Sequence, residues 1–106
     1  PERLAIGFGS DDILARIARA YLQPGTALLR SQNSYLKVPN YAYANDAEAL
    51  AAPDSNFCTD VDAMLASLTP ETRIIYLANP DNHQVPFCQV MRCDACMQAF
   101  PAMFFW

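Results

Sequence analysis

The stretch Arg73–Gln84, "RIIYLANPDNHQ", indicates both the fold class and the edge of the fold where a ligand would bind. Its first half is a run of strand-forming residues with little alternation, which is typical of a strand buried on both faces of a parallel sheet. The strand then ends in the polar run Asn79–Asn82, which is longer than a plain turn requires. Polar residues at the end of a buried strand are also what a ligand site at the carboxyl edge of a sheet contains.

Helix-like segments alternate with further strand-like segments along the rest of the chain. Apolar residues recur at helical spacing after Gly9–Asp12 and again after Asp60, where either Asp60 or Thr59 is a candidate helix cap. The segment Tyr35–Tyr43 is predicted to be helical despite its internal proline, and composition alone indicates a helix for Ala47–Pro53. A further helix is predicted over Pro86–Ala99. The predicted strands are Arg3–Phe8, Thr26–Arg30, Arg73–Ala78 and Ala102–Trp106.

This alternation predicts an α/β fold with three layers, in which a mostly parallel sheet carries helices on its faces. Ligands bind at the carboxyl ends of the strands in such sheets. Three polar loops follow predicted strands, so we expect them to share one edge of the sheet. They are Gly9–Asp12, Ser31–Tyr35 and Asn79–Gln84.

Length and composition exclude several classes of protein. The chain has 106 residues, of which 53 % are hydrophobic, so it fits one small folded domain rather than a disordered segment. Its net charge of −4, without a basic block, argues against a nucleic-acid partner. No apolar run approaches the roughly 20 residues of a membrane span, so we expect no membrane partner and a cytoplasmic protein with reduced thiols.

The two ends of the chain are unusual for a complete domain. The first residue is Pro1, and the last six residues, "PAMFFW", are strongly apolar. Domains usually end in polar, exposed residues. We therefore expect residues 1–106 to form a single partial domain that is truncated at the C-terminus and at the N-terminus as well.

Four residues of the three loops are candidates for binding a ligand. The backbone N–H groups of Ser10 and Asp11 lie at a predicted helix start, where a phosphate could bind, and the Ser10 hydroxyl could contribute. Tyr35 could stack on a planar ligand, and Asn82 could bond a ligand hydroxyl or phenolate. Taken alone, each has a more common structural explanation: a helix cap at Ser10 or Asp11, a half-buried tyrosine and a turn asparagine. Their order along the chain is more specific than any one of them.

The same order of motifs resembles the central part of the large domain of fold-type-I aminotransferases that use pyridoxal 5′-phosphate (PLP), and most of all the histidinol-phosphate aminotransferases. In that family a strand precedes G-[SA]-D-E, followed along the chain by E-P-G-D, P-T-Y-x-x-Y, I-T-P-x-T and N-P-N-N-P-T-G. The resemblance covers about residues 3–106. The counterparts in this sequence are Gly9–Asp12, Leu22–Thr26, Asn33–Tyr35, Leu68–Thr72 and Asn79–Val85.

The resemblance implies a function and a role for each candidate residue. The implied activity is amino-group transfer between an amino acid, or a histidinol-phosphate-like donor, and a 2-oxo acid. Ser10 and Asp11 would hold the PLP phosphate, Tyr35 would stack on the pyridine ring, and Asn82 would bond the phenolic oxygen. Family members are dimers, so a homodimer or another form of self-association is implied as well.

The sequence also departs from the family. His83–Val85 replaces the family's Pro-Thr-Gly, and Asn33 replaces a proline. The aspartate that pairs with the pyridine nitrogen has no counterpart, since the sequence ends at Trp106, about where the family's motif would begin. The Schiff-base lysine has none either, since Lys37, the only lysine, does not match its position. Aminotransfer requires both groups. We therefore assign no catalytic residue and predict that this chain alone has no aminotransferase activity.

Two other functions stay open on the sequence. His83, Cys88, Cys93 and Cys96 could supply four zinc ligands, or the C-x-x-C pair could have a redox role. We favour a third interpretation, in which Cys93 and Cys96 are small apolar residues of a helix, and assign no metal.

The second function that stays open is a non-catalytic binding or self-assembling α/β module, because a partial sheet exposes an edge and apolar patches.

Overall fold

The computed structural model describes residues 4–56 and 58–78, together with the backbone of a strand at 103–105. The predicted helix at Pro86–Ala99 lies outside these residues, as do Asn82 and His83. No helix among the described residues is long and apolar enough to cross a membrane. The elements are α1 (Ser10–Tyr21), β1 (Ala27–Ser31), α2 (Val38–Tyr43), β2 (Glu48–Ala52), α3 (Val61–Ala66), β3 (Thr72–Leu77) and β4 (Met103–Phe105).

The four strands form one parallel sheet in the order β2-β1-β3-β4. Leu29, in the middle of β1, is paired with Leu50 of β2 on one side and with Ile75 of β3 on the other. The ladder between β1 and β3 shifts register between Ala27 and Leu28. The predicted strands at "TALLR", "RIIYLA" and "AMFFW" are thereby confirmed to within two residues at each end.

Side-chain alternation along β1 and β3 builds a core on each face of the sheet. Leu28 packs with α1 and α2 on one face, whereas Leu29, which is 0 % exposed, packs with Met64 of α3 on the other. In β3, Ile74 shares the face of Leu28, and Ile75 shares the face of Leu29. Helices therefore cover both faces of a parallel sheet, and the predicted three-layer α/β class is confirmed.

The predicted strand at Arg3–Phe8 is wrong over its described part, residues 4–8. These residues pair with no strand in the described part of the chain, and Phe8 is 96 % exposed. Strand-forming residues need a neighbouring strand to complete their hydrogen bonds. Here the Phe8 N–H donates instead to Oδ2 of Asp12, at 2.9 Å.

The segment "AEALAAP" contains strand β2, not the helix that its composition indicates. A Schellman-type turn ends the preceding helical segment: the N–H of Ala47 donates to the carbonyl of Ala42, and the N–H of Asp46 to that of Tyr43. Asp46 has a left-handed backbone with φ +54°, which stops the helix and reverses the chain. Pairing with β1 then outweighs the helical propensity of alanine.

The helix caps agree with the sequence in one of two cases. Of the two candidates for the cap of α3, Asp60 rather than Thr59 is the cap, and it accepts a hydrogen bond from the Ala63 N–H at 3.1 Å. The predicted cap of α1 is wrong, because Gly9 is the N-cap residue and no side chain among the described residues forms a cap hydrogen bond with the helix. The Asp11 carboxylate turns to other partners, as described below, and Ser10 is the first helical residue.

Candidate functional site

The first turn of α1 and the loop after β1 meet through Asp11 and Tyr35. The Tyr35 hydroxyl donates a hydrogen bond to Oδ1 of Asp11 at 3.1 Å, although 24 positions separate the two residues. Two of the three polar loops predicted to share an edge of the sheet are thus in contact. The third, Asn79–Gln84, lies outside the described residues.

Asp11 accepts hydrogen bonds from three side chains. Besides Tyr35, the Tyr41 hydroxyl donates to Oδ1 at 2.9 Å, and the Lys37 ammonium donates to Oδ2 at 2.7 Å. We call Asp11, Tyr35, Lys37 and Tyr41 the Asp11 cluster. Lys37 Nζ also lies 5.9 Å from the centroid of the Tyr35 ring. One carboxylate therefore joins the start of α1 to three residues of the β1–α2 segment.

The charges of the cluster reinforce one another. Hydrogen bonds from Lys37 and then from Tyr41 lower the pKa of Asp11, so its carboxylate is ionised at neutral pH. The same hydrogen bond to Asp11 raises the pKa of Lys37, which stays protonated. Burial, followed by the hydrogen bond to Asp11, raises the pKa of Tyr41 to about 12.

Two side chains hold the loop that carries Tyr35. The Asp54 carboxylate, just after β2, accepts hydrogen bonds from the Ser31 hydroxyl and from the Asn33 N–H, the latter at 3.0 Å. The Arg30 guanidinium donates to the carbonyl oxygens of Ser31 and Gln32 at 2.9 and 2.7 Å. The backbone leading to Tyr35 is therefore fixed by contacts with β1 and with the loop after β2.

Within the described part of the chain, the start of α1 has open space beside Gly9. The first N–H groups of a helix have no partner within it, and they attract anions. Gly9 has φ +86°, and a Cβ built on it would meet no atom of the described residues within 4 Å. The negative charge of Asp12 is offset by Arg16, whose Nε lies 3.0 Å from Oδ1. The arrangement fits a phosphate at this end of the helix with a planar group beside Tyr35.

The predicted site residues have the following positions. Ser10 and Asp11 are in the first turn of α1, and Tyr35 is in direct contact with Asp11. Asn82 lies outside the described residues, so its role stays a prediction. Tyr41 could not be selected from the sequence, because only the packing of α1 near α2 brings its hydroxyl to Asp11.

The cysteine hypothesis is untested by the structure. His83, Cys88, Cys93 and Cys96 all lie outside the described residues, and the rest of the chain that is described holds no group of three potential metal ligands. The backbone of Cys58 pairs with that of Ser55 in an isolated antiparallel β-bridge. The Cys58 side chain is disulfide-bonded, which differs from the expected reduced thiol.

Comparison with known proteins gives consistent matches. No family model matches the chain. A histidinol-phosphate aminotransferase of Rhodopseudomonas palustris (strain TIE-1) is 45 % identical over 98 residues, which are 90 % of this chain and 27 % of that protein. One from Rhodospirillum centenum is 45 % identical over 82 residues, or 77 % of this chain and 23 % of its own length. The chain therefore spans about a quarter of the length of the curated relatives it matches.

Solved structures share the fold. Histidinol-phosphate aminotransferase from Sinorhizobium meliloti, in complex with pyridoxal-5′-phosphate, superposes with a TM-score of 0.83 at 27 % identity, covering 95 % of this chain and 28 % of that one. The aspartate aminotransferase from Rhizobium meliloti has a TM-score of 0.73 at 16 % identity, covering 88 % of this chain and 25 % of its own, and shows the fold alone.

These findings define the class and then the family. The fold is the α/β fold of the PLP-dependent aminotransferases. In sequence and in fold, the chain is a homologue of the histidinol-phosphate aminotransferases over about a quarter of their length.

Proposed function

We propose that this chain supplies the cofactor-binding loops of a PLP-dependent aminotransferase, acting on an amino acid or histidinol-phosphate-like donor and a 2-oxo acid. The observation that carries the proposal is the hydrogen bond between Asp11 and Tyr35. It holds a helix N-terminus, suited to a phosphate, beside an aromatic ring suited to a pyridine. Sequence identity of 45 % to histidinol-phosphate aminotransferases supports the same function.

Each proposed contact uses a different part of the ligand. The N–H groups of Ser10 and Asp11 and the Ser10 hydroxyl bind the phosphate. The Tyr35 ring stacks on the pyridine ring, and Asn82 bonds the phenolic oxygen. Bound PLP supplies an electron sink for bond cleavage at the amino-bearing carbon of the substrate. These residues bind and orient the cofactor, and none of them transfers a proton.

Lys37, the only lysine of the sequence, must be considered as a covalent partner of PLP. An amine attacks an aldehyde only in its neutral form. Lys37 is paired with Asp11 at 2.7 Å, which raises its pKa and keeps it protonated. The pairing supports the prediction that Lys37 does not replace the family's Schiff-base lysine, and that the chain alone does not catalyse aminotransfer.

Titration of the purified chain with PLP, followed by the absorbance of the cofactor, tests the proposal. We expect saturable binding that weakens about two- to tenfold in Tyr35→Ala, the range that corresponds to loss of one aromatic contact. Tyr43→Ala is the matched control, because Tyr43 is 61 % exposed and lies on the same chain segment. Equal weakening in both variants, or no saturation, would overturn the proposal.

A second titration removes the ambiguity of lysine chemistry. PLP reacts with exposed amines, so 4′-deoxypyridoxine phosphate, which has the same ring and phosphate but no aldehyde, is titrated by calorimetry. We expect it to bind at the same site and to respond to Tyr35→Ala in the same way. An aldehyde-dependent signal that Lys37→Met abolishes would instead show that PLP is held by lysine chemistry.

Self-association is a second candidate function, and the exposed apolar start of the chain favours it. Leu4, Ile6 and Phe8 are 79, 88 and 96 % exposed, which is unusual for three apolar residues in one short segment. We propose that this surface is covered by a second copy of the chain. Light scattering across a concentration series tests it: Ile6→Ser with Phe8→Ser should give a smaller species, whereas a monomeric parent protein would contradict it.

A further inference from the structure

The Asp11 carboxylate has no part in the proposed phosphate contact, which uses the backbone N–H of that residue. Its side chain instead binds three donors, two of which lie outside the proposed cofactor contacts. We propose that Asp11, itself held by Tyr41 and Lys37, is a positioning residue that sets the Tyr35 ring at a fixed distance from the cofactor phosphate. This inference rests on the proposed function.

The geometry of the hydrogen bonds indicates what the carboxylate does. The backbone that leads to Tyr35 is fixed through Asp54 and Arg30, but the ring still has two rotatable side-chain bonds. Tyr35 is half-buried, so packing restrains it only in part. The bond from its hydroxyl to Oδ1 of Asp11 anchors the far end of the ring and restrains both rotations.

The partners of Asp11 keep that anchor in place. Oδ1 accepts from both Tyr35 and Tyr41, so the tyrosine hydroxyls converge on one oxygen. Oδ2 is engaged by Lys37 at 2.7 Å. A neutral or shorter side chain could not satisfy three donors at once, because only a carboxylate offers about four acceptor positions on two oxygens.

One residue thus links the two parts of the proposed site. Asp11 is the second residue of α1, so its backbone N–H belongs to the proposed phosphate contact while its side chain holds the aromatic ring. Any shift of the helix start would move the ring with it. Asp11 therefore sets the distance between the proposed phosphate contact, made by its backbone N–H, and the proposed pyridine contact, made by the Tyr35 ring.

A double-mutant cycle on the chain tests the inference. Tyr35→Phe keeps the ring for stacking and removes only the hydroxyl, so its effect on PLP should equal that of Asp11→Ala. We expect each variant to weaken PLP binding about three- to tenfold and to reduce the circular dichroism of the bound cofactor, with no further loss in the double variant. Tyr43→Phe is the control and should change neither signal.

The outcomes separate this inference from the proposed function. If PLP binds and the variants leave its affinity and dichroism unchanged, the positioning role is wrong and the proposed function stands. If their losses add in full, Asp11 acts independently of the Tyr35 hydroxyl, which also overturns the inference. If PLP does not bind the parent chain, both fail.

A cofactor-free measurement examines the contact itself. In the chain labelled with 13C in its tyrosine rings, NMR of Tyr35 should show a shifted resonance in Asp11→Ala and a smaller shift in Tyr41→Phe. Tyr43→Phe should leave that resonance in place. A Tyr35 signal that does not respond to Asp11→Ala would overturn the positioning role without reference to PLP.

Discussion

The Asn33 N–H donates a hydrogen bond to Oδ2 of Asp54 at 3.0 Å, which ties the loop after β1 to the loop after β2. The same carboxylate accepts the hydroxyl of Ser31, a buried residue at the end of β1. These two bonds precede Tyr35 directly in the chain. The ring proposed to contact the cofactor is therefore supported by the loop after β2 as well as by α1.

Replacement of Asp54 by alanine should loosen this loop. We expect the free energy of unfolding to fall by about 1–2 kcal/mol, in the lower part of the range for hydrogen bonds to a charged group because Asp54 is partly exposed. Urea denaturation measures the change. Glu71→Ala is the control, since this exposed carboxylate makes no hydrogen bond or ion pair within residues 4–56 and 58–78, and an equal loss there would contradict the assignment.

Leu29→Ala should lower the free energy of unfolding by more than Asp54→Ala does. Leu29 is 0 % exposed and lies in β1 between β2 and β3, so truncation leaves a cavity that the sheet cannot close. We expect a loss of about 2–5 kcal/mol in the free energy of unfolding. Leu36→Ala, at a residue that is 71 % exposed, should change it by less than about 0.5 kcal/mol. Similar losses at both positions would show that the core is misassigned.

Replacement of the α3 cap has a milder expected effect. Asp60 accepts from the Ala63 N–H at 3.1 Å, and Asp60→Ala leaves that donor without its side-chain partner. We expect a loss of about 1 kcal/mol in the free energy of unfolding and a small loss of helical circular dichroism. Asp60→Asn retains an acceptor oxygen and should restore most of the loss. If asparagine were as disruptive as alanine, the cap would not be the cause.

The fold could be predicted because its strongest signals are local. "TALLR" and "RIIYLA" are apolar runs of strand length, and in the structure both are buried strands at the centre of the sheet. The helix before Pro24 follows from apolar spacing along α1. Such patterns depend on neighbours in the chain, so they can be interpreted without knowing the tertiary structure.

The two failed elements depend on neighbours in space. Residues 4–8 have the composition of a strand, yet no described strand pairs with them. The alanine-rich segment Glu48–Ala52 favours a helix by propensity but pairs along its whole length with β1. In both cases the deciding factor is the presence or absence of an adjacent strand, which composition does not reveal.

The candidate site shows the same division. Ser10, Asp11 and Tyr35 could be selected from loop position and from the family resemblance, and the structure brings Asp11 and Tyr35 into contact. Tyr41 could not be selected, because its bond to Asp11 joins residues 30 positions apart through the packing of two helices. The sequence also assigned Asp11 to a helix cap, whereas its carboxylate faces the tyrosines.

The ionisation of Tyr41 gives a prediction for alkaline pH. Its folded pKa of about 12 exceeds the unfolded value of 10.0, mainly through burial and then through the bond to Asp11. The stability that Tyr41 contributes is therefore complete below pH 10 and is lost as the pH rises towards 12. The phenolate of tyrosine absorbs at about 295 nm. The difference in this absorbance between the parent chain and Tyr41→Phe should titrate near pH 12. In Asp11→Asn the midpoint should fall only in part, because burial remains. A midpoint near pH 10 in the folded parent chain would show that Tyr41 is neither desolvated nor bound to Asp11.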